Sequence, residues 1–181
     1  MKEYKFYGVD FKTELKLGGI CGVLILCLLT FIEIIFHQIT PRVSLYQRMI
    51  NIFISLAITL LLIRFLGKKL RKIWILQLKD KKILIEYNKK KKEINLDQIK
   101  KIIINGGSEL RYFTIITSIE KIKIRLGTGA LAPFSKKKDL EEIDCFTKQL
   151  QPYLNQNFIK NDRRVKLSPP GTIKLTYTRK T

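Results

Sequence analysis

Histidine is nearly missing from this chain: a single residue, His37, among 181. That excludes an HExxH zinc site, and neither GxSxG nor a GxxxxGKS/T loop occurs, so the sequence frames for zinc hydrolysis, serine acyl transfer and P-loop phosphoryl transfer are missing too. Cysteine is scarce: Cys21, Cys27 and Cys145 form neither a CxxC nor a metal-ligand spacing, and no disulfide framework is expected. Six residues apart on a helix, Cys21 and Cys27 project to different faces and read as packing or lipid-facing thiols. No catalytic, cofactor-binding or metal-binding residue is assigned, and no cofactor is implied.

Acidic residues are also in deficit. Fifteen Asp and Glu stand against 35 Lys and Arg, a net charge of +20. Such a balance raises nucleic-acid binding, but lysine is accompanied throughout by heavy isoleucine use, as in an A+T-biased coding sequence. The runs Lys89–Lys92 and Lys136–Lys138 sit at expected turns with few interleaved aromatics, a pattern of solvated loops, so nucleic acid is not the favoured partner. Gly127 and Gly129 in LGTGALAPF offer a GxG near Lys136–Lys138 that could hold a phosphate, but a lone GxG after a solvated strand reads more simply as a turn.

What is abundant is uninterrupted apolar sequence. Leu17–Phe36 reads LGGICGVLILCLLTFIEIIF, about 30 Å as a helix and so the thickness of a bilayer's hydrocarbon core. Met49–Leu66 reads MINIFISLAITLLLIRFL, with Arg64 placed to snorkel. The short connection HQITPRVSLYQR, with Pro41, predicts an antiparallel hairpin with both chain ends on one side. Lysines 2, 5, 12 and 16 precede the first span and Arg64, Lys68, Lys69, Arg71 and Lys72 follow the second, while the connection holds only Arg42 and Arg48. By the positive-inside rule both ends belong in the cytoplasm, or in an organelle's matrix or stroma. The five bases after the second span are expected to contact anionic lipid, at about 1 kcal/mol each. No cleavable targeting peptide is expected, because MKEYKFYGVDFKTE mixes acids with bases and alternates like a short strand.

Within the spans, Gly18 and Gly22 form a GxxxG, and Ser55 and Thr59 a small-residue step; the two are expected to pack on each other, or on helices of a larger complex. Glu33 is an intramembrane charge. It is read either as a functional carboxylate or as one snorkelling near the outer end and paired with His37, Arg42 or Arg48.

Beyond Lys72 the periodicity becomes two. IWILQL, KILIEY, KEINL, IKKIIIN, LRYFTIITS and KIKIRL read as six strands. Asp139 with Glu142 reads as a capping box, opening a helix with Leu140, Ile143, Phe146, Thr147 and Leu150 on one face and limited by Pro152. Residues 155–181 carry seven bases and one acid; TIKLTYT reads as one more strand, added to a partner's sheet edge, or else the tail is a disordered basic arm. The organisation expected is an N-terminal segment (1–16), a transmembrane hairpin (17–66), a basic β-rich domain (67–155) and a basic tail (156–181). The fold class expected is a membrane α-helical hairpin plus an α+β domain: a small curved antiparallel sheet or partial barrel, pleckstrin-homology-like in shape, closed by a C-terminal helix.

KFYGVDF entering the first span, the basic exit followed by IWILQLKDKKILIEY, the INLDQI step and KIKIRLGTGALAPF together resemble the mitochondrial transmembrane proteins 70, 186 and 223. That resemblance implies a two-span inner-membrane hairpin protein with both termini in the matrix. It also implies a non-catalytic role in the biogenesis of respiratory complexes or the ATP synthase, with membrane-complex subunits and anionic phospholipid, cardiolipin if mitochondrial, as partners. A bacterial inner-membrane protein with two spans and a pleckstrin-homology-like domain, binding anionic lipid or envelope partners, is a second resemblance. An RNA-tethering module, and an enzyme built around Glu33 and His37, are weaker alternatives.

Overall fold

The computed structural model describes residues 2–39, 45–129, 133–164 and 172–180. Pro41 and Arg42 of the connection, and Ser168–Gly171 of the tail, lie outside the described residues. The chain opens with strand β1 (Glu3–Asp10), then helices α1 (Phe11–Ile39) and α2 (Leu45–Leu70). Six strands follow: β2 (Lys72–Lys79), β3 (Lys82–Tyr87), β4 (Lys90–Asn95), β5 (Ile99–Gly106), β6 (Leu110–Thr117) and β7 (Lys121–Gly127). Helix α3 (Lys137–Asn157) precedes two last strands, β8 (Phe158–Arg164) and β9 (Ile173–Arg179).

Among the described residues the nine strands make one antiparallel sheet in the order β4-β3-β2-β1-β7-β6-β5-β9-β8. Strand β1 is its hinge. Glu3–Gly8 pair with β2, whereas Val9 and Asp10 pair with β7. The N-terminal segment is therefore a central strand of the sheet domain, and the two long helices are an insertion between the neighbouring strands β1 and β2.

Tight two-residue loops join β2 to β3 and β3 to β4. Asp80, Lys81, Asn88 and Lys89 all adopt positive φ, the geometry of hairpin turns that match strand twist. Alternation then does the packing: Trp74 and Leu76, Ile83 and Ile85, Ile102 and Ile104, and Ile124 and Leu126 all turn inward and are buried. Helix α3 covers them with Leu140, Ile143, Phe146, Leu150 and Leu154, at helical spacing. The Phe146 ring meets Tyr4 and Phe113 edge-on, with centroids 5.5 and 5.9 Å away.

Three details of this part differ from the sequence reading. Asp139 is the third residue of α3 rather than its cap, and its carboxylate accepts the Lys136 backbone N–H. Pro152 does not end the helix. An interior proline costs about 3 kcal/mol, but the chain beyond it buries Leu154 and Phe158, each contributing about 1.5–3 kcal/mol. Finally, TIKLTYT pairs with this chain's own β5, Lys101 opposite Thr178 through Gly106 opposite Ile173, and FIKNDRR forms the edge strand beside it.

Helices α1 and α2 are long and apolar enough to cross a membrane. Only 6% and 17% of the residues in their most apolar windows are buried. A soluble core helix of such composition would be mostly covered, and so large an uncovered apolar face marks an interaction or membrane surface.

Candidate functional site: the hairpin foot and a basic cleft

Where the helices meet the sheet, a set of polar and apolar contacts fixes one to the other. Asp10 ends β1 and caps α1: the Thr13 backbone N–H donates to its Oδ1 at 2.8 Å. Its other oxygen accepts from the Lys72 ammonium at 2.7 Å, so the start of one helix is tied to the first residue of the strand that follows the other. Burial disfavours the charged carboxyl, but the Lys72 ammonium and the hydrogen bonds from Thr13 outweigh it, and the Asp10 pKa lies below its ordinary value. A depressed carboxylate contributes stability above its unfolded-state pKa, and that contribution is lost as pH falls through the folded-state value. Asp10→Asn keeps a good cap and loses the ion pair, so it is expected to lower stability by about 0.5–1 kcal/mol at neutral pH. The loss should shrink on acidification, as read by thermal unfolding of the detergent-solubilised protein at neutral and acid pH.

One turn on, Glu14 reaches over the sheet and collects three donors. Arg125 Nη1 lies 2.7 Å from its Oε1, Lys123 Nζ 3.2 Å from its Oε2, and the Tyr112 hydroxyl 3.3 Å from its Oε1. All three charged side chains are a quarter exposed or less. The Lys123 ammonium also sits over the Phe11 and Tyr112 rings, at 4.9 and 4.5 Å from their centroids. Burial raises the Tyr112 pKa, with the Glu14 charge adding to the effect.

The apolar half of the foot is a small cluster of Val9, Leu17, Cys21 and Phe134. Gly67 of α2 lies directly on the segment before α3: a Cβ there would be 3.1 Å from Pro133 Cγ and 3.2 Å from Phe134 Cε1. Gly67→Leu is expected to lift the helix off its seat at a cost of about 1–3 kcal/mol despite leucine's better helix propensity, measurable as a lower unfolding temperature.

Beside the foot is a cleft of about 450 Å³. Its walls carry Lys12 and Lys16 from α1, Lys72 from β2, Lys90 and Lys92 from β4, and Lys121 and Lys123 from β7, against the carboxylates of Asp10 and Glu120. Both carboxylates are engaged, Asp10 by Lys72 and Glu120 by Lys92. Trp74 and Tyr87 also line the cleft, their rings stacked 4.4 Å apart. Comparison with protein-family models, with curated proteins and with solved structures finds no match to this chain. Its function therefore has to be read from its own residues.

Of the five bases read as lipid contacts, Arg64, Lys68 and Lys69 are exposed, while Arg71 and Lys72 are half-buried in the foot. Arg71 stacks over the Tyr7 ring, 4.3 Å from its centroid. The two small-residue steps do not meet. Ser55 and Thr59 are buried on the hairpin's inner face with Asn51, and the Thr59 hydroxyl donates to the Ser55 carbonyl. Gly18 and Gly22 face outward, and a Cβ at either would find no atom within 4 Å. Glu33 is exposed, and no described residue pairs with it. Arg42 and the side chain of His37, two of the partners expected for it, lie outside what the structure describes. Gly129 packs against the Glu109 carboxylate, 3.0 Å from where its Cβ would be, an acidic neighbour that disfavours phosphate there.

Missing from the sequence reading are the role of Glu14 and the meeting of the cleft lysines, which it placed apart: Lys12, Lys16 and Lys72 beside the spans, Lys90 and Lys92 in a turn run. Alternation carried the signal for two of them, since Lys121 and Lys123 share one face of β7. The run at Lys90–Lys92 is strand rather than loop.

Proposed function

We propose that this protein is a non-catalytic integral membrane protein that holds partner subunits of a membrane complex, as a subunit or assembly factor of an energy-transducing assembly such as a respiratory complex or the ATP synthase. The observation that carries this reading is the insertion of the helical hairpin between the paired strands β1 and β2. A domain joined to two spans at adjacent strands, and locked there by Asp10–Lys72 and Glu14–Arg125, is held in fixed orientation at the membrane surface. That suits a platform for other subunits better than a tethered, freely moving module.

In this reading α1 and α2 cross the bilayer once each, and both termini and the sheet domain share the matrix or cytoplasmic side, in keeping with the bases flanking the spans. The mitochondrial inner membrane is the location proposed. The domain is read as pleckstrin-homology-like, supported by the order β4-β3-β2-β1-β7-β6-β5 and by α3 packed over the sheet. The test is extraction in mild detergent followed by native gel separation. Stable migration with a respiratory or ATP synthase complex is expected; migration alone rejects the assembly role.

A second reading, a bacterial inner-membrane protein whose domain binds anionic lipid, is favoured by the basic cleft beside the foot. Purification from its native membrane with bound lipid analysed by mass spectrometry separates the two readings: an anionic lipid retained by a protein that migrates alone supports the second.

A further inference from the structure

We propose that strand β8 is an interface between two copies of this chain, its free edge pairing antiparallel with β8 of the second copy about a two-fold axis at Asn161. This goes beyond the role proposed above and does not depend on it. Among the described residues, β4 and β8 are the two edges of the sheet, and an edge strand offers unpaired backbone donors and acceptors to another chain. The ladder with β9 fixes which groups are on offer. The Lys180 N–H donates to the Asn157 carbonyl at 3.0 Å, so by alternation Ile159–Thr178 and Asn161–Thr176 are the opposed pairs bonded across to β9. Lys160 and Asp162 therefore direct their backbone N–H and C=O groups over the open edge.

The side chains select the occupant. Edges that stay free are commonly guarded by proline, a bulge or lysines. FIKNDRR has no proline, its register with β9 runs without a shift, and Ile159 on it is 61% exposed. Lys160 and Asp162 are both exposed, and neither has an ion-pair or hydrogen-bond partner among the described residues. Asn161 is the midpoint of the strand, so an axis there overlaps all seven residues. In that register Lys160 lies opposite Asp162 of the second copy, and Asp162 opposite its Lys160. Each of these pairs exchanges both backbone hydrogen bonds and sets opposite charges side by side on one face. Asn161 meets Asn161, and an amide both donates and accepts.

Neighbouring registers are excluded by the same charges. Moving the axis one residue either way opposes Lys160 to Lys160 or Asp162 to Asp162, and like charges directly opposite are destabilising. The other edge fails this comparison. An axis near the middle of β4 would oppose Lys92 to Lys92 or Glu93 to Glu93, and Lys92 is already engaged by Glu120. One strand pair is a small interface, so the association is expected to be weak and concentration-dependent, in the micromolar range of about 1–100 μM.

The full chain in mild detergent is measured across that range by light scattering with the detergent mass subtracted. A monomer–dimer equilibrium is expected. Lys160→Asp and Asp162→Lys each bring like charges together across the axis and should each weaken the dimer about tenfold or more, whereas the combined swap restores opposite charges and should return it to within about threefold of the parent. Trp74, the only tryptophan and buried in the core, reports by its emission that each variant is folded. A second measurement reads the register. In a variant lacking Cys21, Cys27 and Cys145, Asn161→Cys places two thiols on the axis with Cα atoms about 4.5 Å apart, within disulfide reach. Lys160→Cys places them two residues out of step, so its oxidation to a covalent dimer should be about tenfold slower or more. A parent monomeric at about 100 μM, a swap no tighter than the single variants, equal cross-linking at 160 and 161, or cross-linking of 161 in native membranes to a different polypeptide would each overturn the interface, whether or not the protein migrates with a larger complex.

Discussion

Replacing Glu14 by alanine is expected to destabilise the protein by about 2–3 kcal/mol and to loosen the sheet domain from the hairpin. The carboxylate is the shared acceptor for Arg125, Lys123 and the Tyr112 hydroxyl, and its removal leaves two cations a quarter exposed or less with no counter-charge. Breaking a buried pair from one side costs about 3–5 kcal/mol, and the residual exposure here moves the expectation to the low end or below it. Glu14→Gln should lose less, since an amide oxygen still accepts one or two of the three bonds. Coupling is the sharper readout. In a double-mutant cycle, Arg125→Ala should cost markedly less in the Glu14→Ala background than in the parent, because the charge it leaves behind has already gone. Additive losses would mean that the two residues act separately. Limited proteolysis offers a local measurement: cleavage between α2 and β2 should accelerate in Glu14→Ala well before the sheet unfolds.

The second large effect is expected at Gly106, the last residue of β5. Its φ of +139° is one that residues with side chains rarely adopt, and a Cβ there would lie 2.0 Å from the Leu110 carbonyl oxygen. That oxygen already accepts the Gly107 N–H at 2.9 Å, closing the β5–β6 turn. Alanine can be accommodated only by moving backbone. Gly106 pairs with Arg111 on one side and Ile173 on the other, so the movement reaches three strands. Gly106→Ala should cost about 3 kcal/mol or more, with a lower midpoint in thermal or denaturant unfolding. An unchanged midpoint would mean that the turn has another geometry.

Much of the sheet was legible because its burial pattern repeats every two residues. KIKIRL sets Ile124 and Leu126 inward with bases between them, and KILIEY buries Ile83 and Ile85 on one face, although Leu84 between them is apolar too. The two long helices were legible from composition alone. What escaped was the register between distant segments. Glu14 lies 109 and 111 positions from Lys123 and Arg125, and no local pattern announces that a residue on the first turn of α1 sits over β7. KFYGVDF read as a strand, but its place at the centre of the sheet depends on pairing with residues across the hairpin, beyond any window of periodicity. FIKNDRR was missed for the opposite reason: as an edge strand it buries only Phe158 among its described side chains and so has little alternation to read. Pro152 misled because the local cost of an interior proline was weighed without the tertiary burial of Leu154 and Phe158 that offsets it. Gly18 and Gly22 show the limit of small-residue spacing: it identifies a face that a helix can approach, and the structure shows that face uncovered.

The role proposed for this protein depends on the hairpin crossing a bilayer twice, with the sheet domain on the side of the N-terminus. Single cysteines placed at Glu3, Arg48 and Lys174 in a variant lacking Cys21, Cys27 and Cys145, probed with a membrane-impermeant maleimide on sealed vesicles of known orientation, test this directly. Positions 3 and 174 should be labelled from the matrix or cytoplasmic face and position 48 only from the other. Labelling of 3 and 174 from opposite faces, or of all three from one, would contradict it.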